Sequence, residues 1–358
     1  MRSKFKMPLS RLLHDQQRWG RILLKAAKLS SGVLDPAPKR RAPIKKAAAT
    51  AERLQEVASF GTNPGRLRML RYVPPALPRR SPLVVVLHGC HQSAEEYDHH
   101  SGWSTLARER GFALVYAEQT RSNNGNLCFN WFRPSNVTRD RGEVMSIRQM
   151  IGKMATAHAI DKKRIFITGL SAGGAMTASM LAAYPELFAG GGIIAGLPHG
   201  AARDVSRALD AMNAAPIRTP EEWGNLVRAA SPSLAHRPTV SIWHGTKDRT
   251  VSISNARALL DQWLDIYNLD ATAFVETTVD GHARRVWLDK KGRPVIELTL
   301  IDGMGHGTPL RPRAASRPRA DTPGRFMLDA GISSTTQLAK TWGLRKPSLL
   351  ATIKGVVK

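Results

Sequence analysis

An α/β fold, with a mostly parallel central sheet and helices on both faces, is predicted by three features of this 358-residue chain. Continuous apolar runs such as Leu83-Val84-Val85-Val86-Leu87 have the composition of strands buried on both sides. Segments with helical spacing alternate with these runs, as Val144, Ile147, Ile151 and Met154 do over Gly142–His158. Glycine-bearing turns, at Gly89 and at Gly169 to Gly173, follow directly on such runs, and ligands of parallel sheets bind at the carboxyl ends of strands.

The elements follow in order. Leu67–Val73 reads as a strand and Pro82–Leu87 as a buried one. Ser93 with Glu96 three residues on is a capping-box pattern, opening a helix to about Arg110. Phe112–Ala117 is a further buried strand, Gly142–His158 a helix and Arg164–Thr168 a strand. Ala172–Ala183 is a helix stopped by Pro185, and Gly191–Ile194 a strand. Thr239–Trp243 is followed by a helix over Ser254–Tyr267. Lys290-Lys291-Gly292 separates β-like runs at Arg285–Leu288 and Val295–Ile301, as a hairpin turn would.

Charge divides the chain. Its 53 Lys/Arg and 28 Asp/Glu give +25, of which residues 1–50 carry +11 and residues 307–358 carry +8. The chain is read as three regions: a basic extension over 1–60, a folded domain over 61–345 and a basic tail over 346–358. Within the extension, Leu9, Leu12, Leu13, Trp19, Ile22, Leu23 and Ala26 have the spacing of an amphipathic helix, and Asp35 to Lys46 reads as a linker. Basic ends of this kind suit an anionic membrane or granule surface, and they carry no signature of specific nucleic-acid binding. No run of 18 apolar residues occurs, which excludes a spanning helix. The best apolar run of the N-terminus, Ile22-Leu23-Leu24, is interrupted on both sides by charge, so no secretory signal is expected and the cytoplasm is favoured, with an extracellular location left open.

The chemistry centres on Gly169-Leu170-Ser171-Ala172-Gly173. This G-x-S-x-G pattern follows a strand and opens a helix, the context of the nucleophile elbow in the α/β-hydrolase fold. The turn is so tight that its flanking residues must be small, and Ser171 then stands clear of the sheet at the positive end of a helix. A serine hydroxyl needs a base, and the base needs an acid to orient it, in the order Ser, Asp/Glu, His. Of the downstream histidines, His306 lies in Gly303-Met304-Gly305-His306-Gly307 just after a strand, whereas His282 precedes the hairpin beside Arg284 and Arg285. Asp248 lies in a short loop directly after Thr239–Trp243, ahead of Asp261, Asp265, Asp280 and Asp302 as the acid.

Oxyanion donors are expected from the backbone N–H of Ala172, after the nucleophile, and of Cys90, in the loop after Leu83–Leu87. Trp103, Trp131 and Phe132 are expected to border the site as an aromatic wall. Two cysteines are too few for a disulfide framework, but Cys90 and Cys128, both near the mouth of the site, can form one bridge in an oxidising compartment. No metal or other cofactor is required.

The segments LHGCHQSAEEY, CFNWFRP, TGLSAGGAMTASMLAAYPELFAGG, IAGLP, SIWHGTKDRTV, GMGHGTPL and DAGISSTTQLAKTWGL together resemble the polyhydroxybutyrate depolymerase family of esterases, related to feruloyl and acetylxylan esterases. The resemblance runs over residues 60–345 with the motifs in matching order. It implies ester hydrolysis through an acyl-enzyme without metal, with Ser171, Asp248 and His306 as triad and Cys90 in the oxyanion hole. Family members that act on extracellular polymer usually carry a secretion signal and often a polymer-binding domain, and neither is evident in this sequence. Polymer, soluble oligomer and small ester therefore all stand as substrates. The competing readings are a feruloyl, acetylxylan or other small-ester esterase, a prolyl-oligopeptidase-like peptidase and a non-catalytic surface-binding protein.

Overall fold

The computed structural model describes residues 54–312 and 323–344. The expected amphipathic helix, the linker and the basic tail lie outside those residues.

Ten strands form one sheet: β1 (Gln55–Glu56), β2 (Arg68–Tyr72), β3 (Leu83–Leu87), β4 (Ala113–Glu118), β5 (Ile165–Leu170), β6 (Gly190–Ile194), β7 (Thr239–Gly245), β8 (Phe274–Val279), β9 (His282–Leu288) and β10 (Pro294–Ile301). Their order is β1-β2-β4-β3-β5-β6-β7-β10-β9-β8. The stretch from β4 to β10 is parallel throughout. Antiparallel pairs, β1 with β2 and β8 with β9, finish the two margins. A separate parallel pair joins β11 (Thr308–Leu310) to β12 (Met327–Asp329).

The apolar runs explain the layering. Leu83, Val85 and Leu87 of β3 enter a core shared with the helices Gly142–Ala157, Ala172–Ala183 and Ser254–Tyr267. Val84 and Val86 enter a second core under the helices Ala94–Ser101, Trp103–Arg110 and Ser334–Thr341. Each buried Val or Leu contributes about 1.5–3 kcal/mol, so a strand with no polar alternate requires cover on both faces.

Several boundaries differ from the sequence expectation. The helix expected from Ser93 to Arg110 is two, broken at Gly102, whose φ of 72° is costly for other residues and easy for glycine. Among the described residues a strand, β1, already lies before residue 61, because Gln55 and Glu56 pair with Arg71 and Leu70. Strand β8 was not anticipated, since its half-exposed margin has no apolar run to betray it. The helix Pro220–Ala230 was also missed, although Thr219 and Glu222 form a reciprocal capping box at its start.

Candidate active site

Three loops at the carboxyl ends of parallel strands carry the residues singled out from sequence. Ser171 follows β5, Asp248 follows β7, and His306 follows β10. Strands β7 and β10 are direct neighbours, and β6 separates β7 from β5.

Ser171 occupies φ 57°, ψ −116°, a conformation that L side chains rarely adopt. The turn around it leaves no room for side chains on either flank. A Cβ on Gly169 would lie 2.4 Å from the Gly173 carbonyl oxygen, and one on Gly173 would lie 2.5 Å from that of Leu87. The Ser171 hydroxyl does not cap the helix Ala172–Ala183, so a mere capping role is ruled out. Its own amide N–H donates to the Ile194 carbonyl, at 2.9 Å, which ties the elbow to the end of β6.

Asp248 and His306 are paired. His306 Nδ1 donates to Asp248 Oδ2 at 2.7 Å, which leaves Nε2 as the basic nitrogen. The other carboxylate oxygen, Oδ1, accepts the backbone N–H of Thr250 at 2.8 Å and of Val251 at 2.9 Å. Burial alone would raise the Asp248 carboxyl. The facing His306, the buried His244 and the Val251 N–H outweigh it and hold the group below its ordinary value. His244 Nε2 donates to the Val251 carbonyl at 2.8 Å and stands 3.4 Å from Asp248 Oδ2. Burial lowers the basicity of this second imidazole, against the pull of Asp248 and the Val251 carbonyl. An aspartate fixed at both oxygens can orient the His306 ring and stabilise its charged form.

The competing residues are engaged elsewhere. His282 Nε2 meets the Ala330 carbonyl at 2.8 Å, His236 Nε2 that of Phe188 at 2.8 Å, and His199 Nδ1 the Ser179 hydroxyl at 3.2 Å. Asp280 is bound by Arg311 at 2.9 Å and Gln337 at 2.7 Å, and Asp302 accepts the Thr246 hydroxyl at 2.9 Å.

The loop after β3 holds Cys90, joined to Cys128 by a disulfide. The backbone N–H groups of Cys90 and Ala172 have no protein acceptor among the described residues, so both donors are free to serve a ligand. His88 is buried and its basicity is lowered by desolvation. Its Nδ1 donates to the Gly89 carbonyl at 2.7 Å, while Nε2 accepts the Gln119 N–H at 3.1 Å.

The aromatic wall requires correction. Trp103 is 1% exposed and stacks on Trp342 at 6.1 Å, which in turn stacks on Phe166 at 4.8 Å. Phe166 lies near the amino end of β5, at the other end of that strand from Ser171, so Trp103 is a core residue. Trp131 does sit on a loop, three residues beyond Cys128, but it is 4% exposed and set edge-on to the buried Phe132. The aromatic ring beside the histidine is instead Phe326, 5.8 Å from the His306 ring and held at a φ of 60°. No periodicity or motif marked Phe326 in the sequence.

The model of the esterase PHB depolymerase family matches residues 67–286 of this chain. The chain belongs to that family. It is 41% identical over 292 residues to poly(3-hydroxyalkanoate) depolymerase C of Paucimonas lemoignei, which covers 81% of this chain and 70% of that protein. It is 31% identical to acetylxylan esterase A of Aspergillus oryzae, over 71% of this chain and 83% of that one. Among solved structures, the acetyl xylan esterase from Aspergillus awamori superposes with a TM-score of 0.68 at 24% identity, covering 82% of this chain and 99% of that one. The fold is thus the α/β-hydrolase fold, and this family member is a carboxylic ester hydrolase.

Proposed function

We propose that the enzyme hydrolyses short-chain polyhydroxyalkanoate, as 3-hydroxybutyrate polymer or oligomers, through an acyl-enzyme on Ser171. His306 Nε2 takes the Ser171 proton as Oγ attacks the ester carbonyl. The oxyanion that forms accepts the N–H groups of Cys90 and Ala172. Collapse breaks the ester C–O bond, and the imidazolium returns its proton to the departing alcohol. Water, deprotonated by the same nitrogen, then attacks the acyl-enzyme and frees the acid and the serine.

The observation that carries this reading is the Asp248 carboxylate, held at both oxygens and paired with His306 at 2.7 Å. The substrate class draws support from the higher identity to the depolymerase, 41% against 31% for the acetylxylan esterase. Hydroxybutyrate trimer, a feruloyl ester, acetylated xylan and an anilide, each with wild type and Ser171→Ala, test it. Hydroxybutyrate release should be fastest and should vanish in the variant. Faster release of acetate or ferulate would move the enzyme to the xylan-ester class.

The basic N-terminal extension forms the second part of the proposal. Its +11 charge over residues 1–50 suits it to hold the enzyme on an anionic granule or membrane surface. Deleting residues 1–50 should weaken binding to anionic vesicles, in a salt-dependent way, and leave turnover of a small soluble ester within about threefold. Unchanged vesicle binding would remove the tether.

A further inference from the structure

A buried carboxylate outside the triad gathers the loop that faces the oxyanion strand. Glu143, in the first turn of the helix Gly142–Ala157, is fully buried and makes no ion pair among the described residues. Its Oε1 accepts Asn130 Nδ2 at 2.6 Å, Gln119 Nε2 at 2.8 Å and Asn123 Nδ2 at 3.2 Å. Its Oε2 accepts the Asn130 backbone N–H at 2.8 Å. All four donors come from the segment 119–130, which has no helix or strand of its own. Such a segment needs an internal organiser, because its backbone polar groups have no ladder to join. When ionised, the carboxylate is an acceptor at both oxygens and matches four converging N–H groups.

The same segment is fastened to the oxyanion loop at three points. Cys128 is bonded to Cys90. The Gln119 N–H donates to His88 Nε2 at 3.1 Å, and the His91 N–H donates to the Asn126 carbonyl at 2.8 Å. Gln119 also returns its side-chain amide to the Cys128 carbonyl at 2.9 Å, which locks the half of the disulfide that the segment supplies.

We propose that Glu143 is a positioning residue for the oxyanion hole: by collecting Gln119, Asn123 and Asn130 it fixes the segment that holds His88 to His91, and with them the Cys90 N–H, in place. The proposal rests on the reading of Cys90 as an oxyanion donor. An N–H displaced by a fraction of an ångström from a developing oxyanion loses stabilisation of the transition state more than binding of the neutral ester. The expected signature is therefore in kcat and not in KM.

Glu143→Gln keeps the shape and turns one acceptor into a donor that faces other donors. With a soluble 4-nitrophenyl ester, kcat should fall by about 10- to 50-fold while KM stays within about twofold. A merely structural role would lower the melting temperature or the active fraction, titrated with a serine-directed phosphonate, and leave kcat per active site unchanged. Asn123→Ala removes the longest of the four bonds to Glu143, together with the bonds from the same Nδ2 to Gln119 Oε1 at 2.7 Å and to the Gly65 carbonyl at 2.9 Å, and serves if the first variant does not fold; a threefold or larger fall in kcat with KM unchanged is expected. A kcat per active site within twofold of wild type in the folded variant would overturn the proposal. Ser171→Ala, run alongside, keeps the two failures apart, because activity surviving in it would overturn the acyl-enzyme reading instead.

Discussion

The two ends of the central sheet are built differently. At the carboxyl end the backbone is held at φ 57° at Ser171, a carboxylate is fixed at both oxygens, and a disulfide joins two loops. At the amino end lies a cleft of about 780 Å³ beside the starts of β7 and β10, lined by Arg237, Tyr267, Asp289, Lys290, Lys291 and Arg293 among others. This cleft and the proposed triad therefore lie at opposite ends. The large cleft is the default place to look for a ligand, yet its cations are exposed and Arg293 is spent on Asp289 at 2.6 Å. Preorganisation marks the carboxyl end. Oriented donors and strained backbone persist only where the surrounding structure enforces them.

The comparison breaks most sharply at Ser171. Ser171→Ala and His306→Ala should each lower kcat for a small ester by about 10⁴-fold or more, and the double variant should lose little further, because the two act as one unit. Asp248→Asn should cost about 10⁴-fold or less, since the ring can still be held but in the wrong tautomer. Steady-state kinetics on folded variants checks all four proteins. Equal loss from His282→Ala would move the base to the start of β9, which lies beside the end of β10.

The stacked aromatics at the amino end sharpen it differently. Trp103→Ala should destabilise the fold by about 3–5 kcal/mol, the cost of emptying a large buried site, and leave KM per folded molecule unchanged. Denaturant unfolding beside ester kinetics separates the two. A tenfold rise in KM at unchanged stability would restore Trp103 to the substrate.

Why Ser171, Asp248 and His306 stood out in the sequence, while the aromatic wall was misplaced and Glu143 passed over, has a physical basis. Each of Ser171, Asp248 and His306 follows a strand whose apolar run is visible, and parallel topology then brings the strand ends together. The glycines around Ser171 record a local clash that any reader of the chain can infer. Trp103 and Trp131 carry no such record, since a tryptophan in the core and one in a binding wall have the same composition around them. Their burial is decided by Trp342 and Phe132, and the first of these lies more than two hundred residues away. Glu143 reads as an ordinary acidic residue in the first turn of a helix. Only the fold reveals that segment 119–130 closes over it.

Glu143 also yields a signed pH effect. Burial pushes its carboxyl up from 4.5 to about 7, against the pull of the Gln119, Asn130 and Asn123 donors. Between those values the native state keeps a proton that the unfolded chain has lost. The contribution of this group to stability is therefore greatest in acid, falls as the pH rises through that window and is level above it. Relative to Glu143→Gln, wild type should lose up to about 3 kcal/mol of stability between pH 4.5 and pH 8. Chemical denaturation of both proteins at several pH values measures the difference. A constant gap would mean that the four donors keep the carboxylate ionised throughout.

The smallest effect is expected at the cationic cleft. Strand β7 has seven residues, so its two ends lie about 20 Å apart at the usual rise of a strand. Two unit charges at that distance in water interact by about 0.2 kcal/mol before screening. With a screening length of about 8 Å at physiological ionic strength, most of that is removed as well. Replacing Lys290 and Lys291 together by Gln should therefore change kcat/KM for a neutral soluble ester by less than about 1.5-fold. Both side chains are exposed, so no buried partner is left unsatisfied and the fold should be unaffected. A fall of fivefold or more on the small ester would mean that the amino end reaches the chemistry by a change of shape, and the division between the two ends would fail.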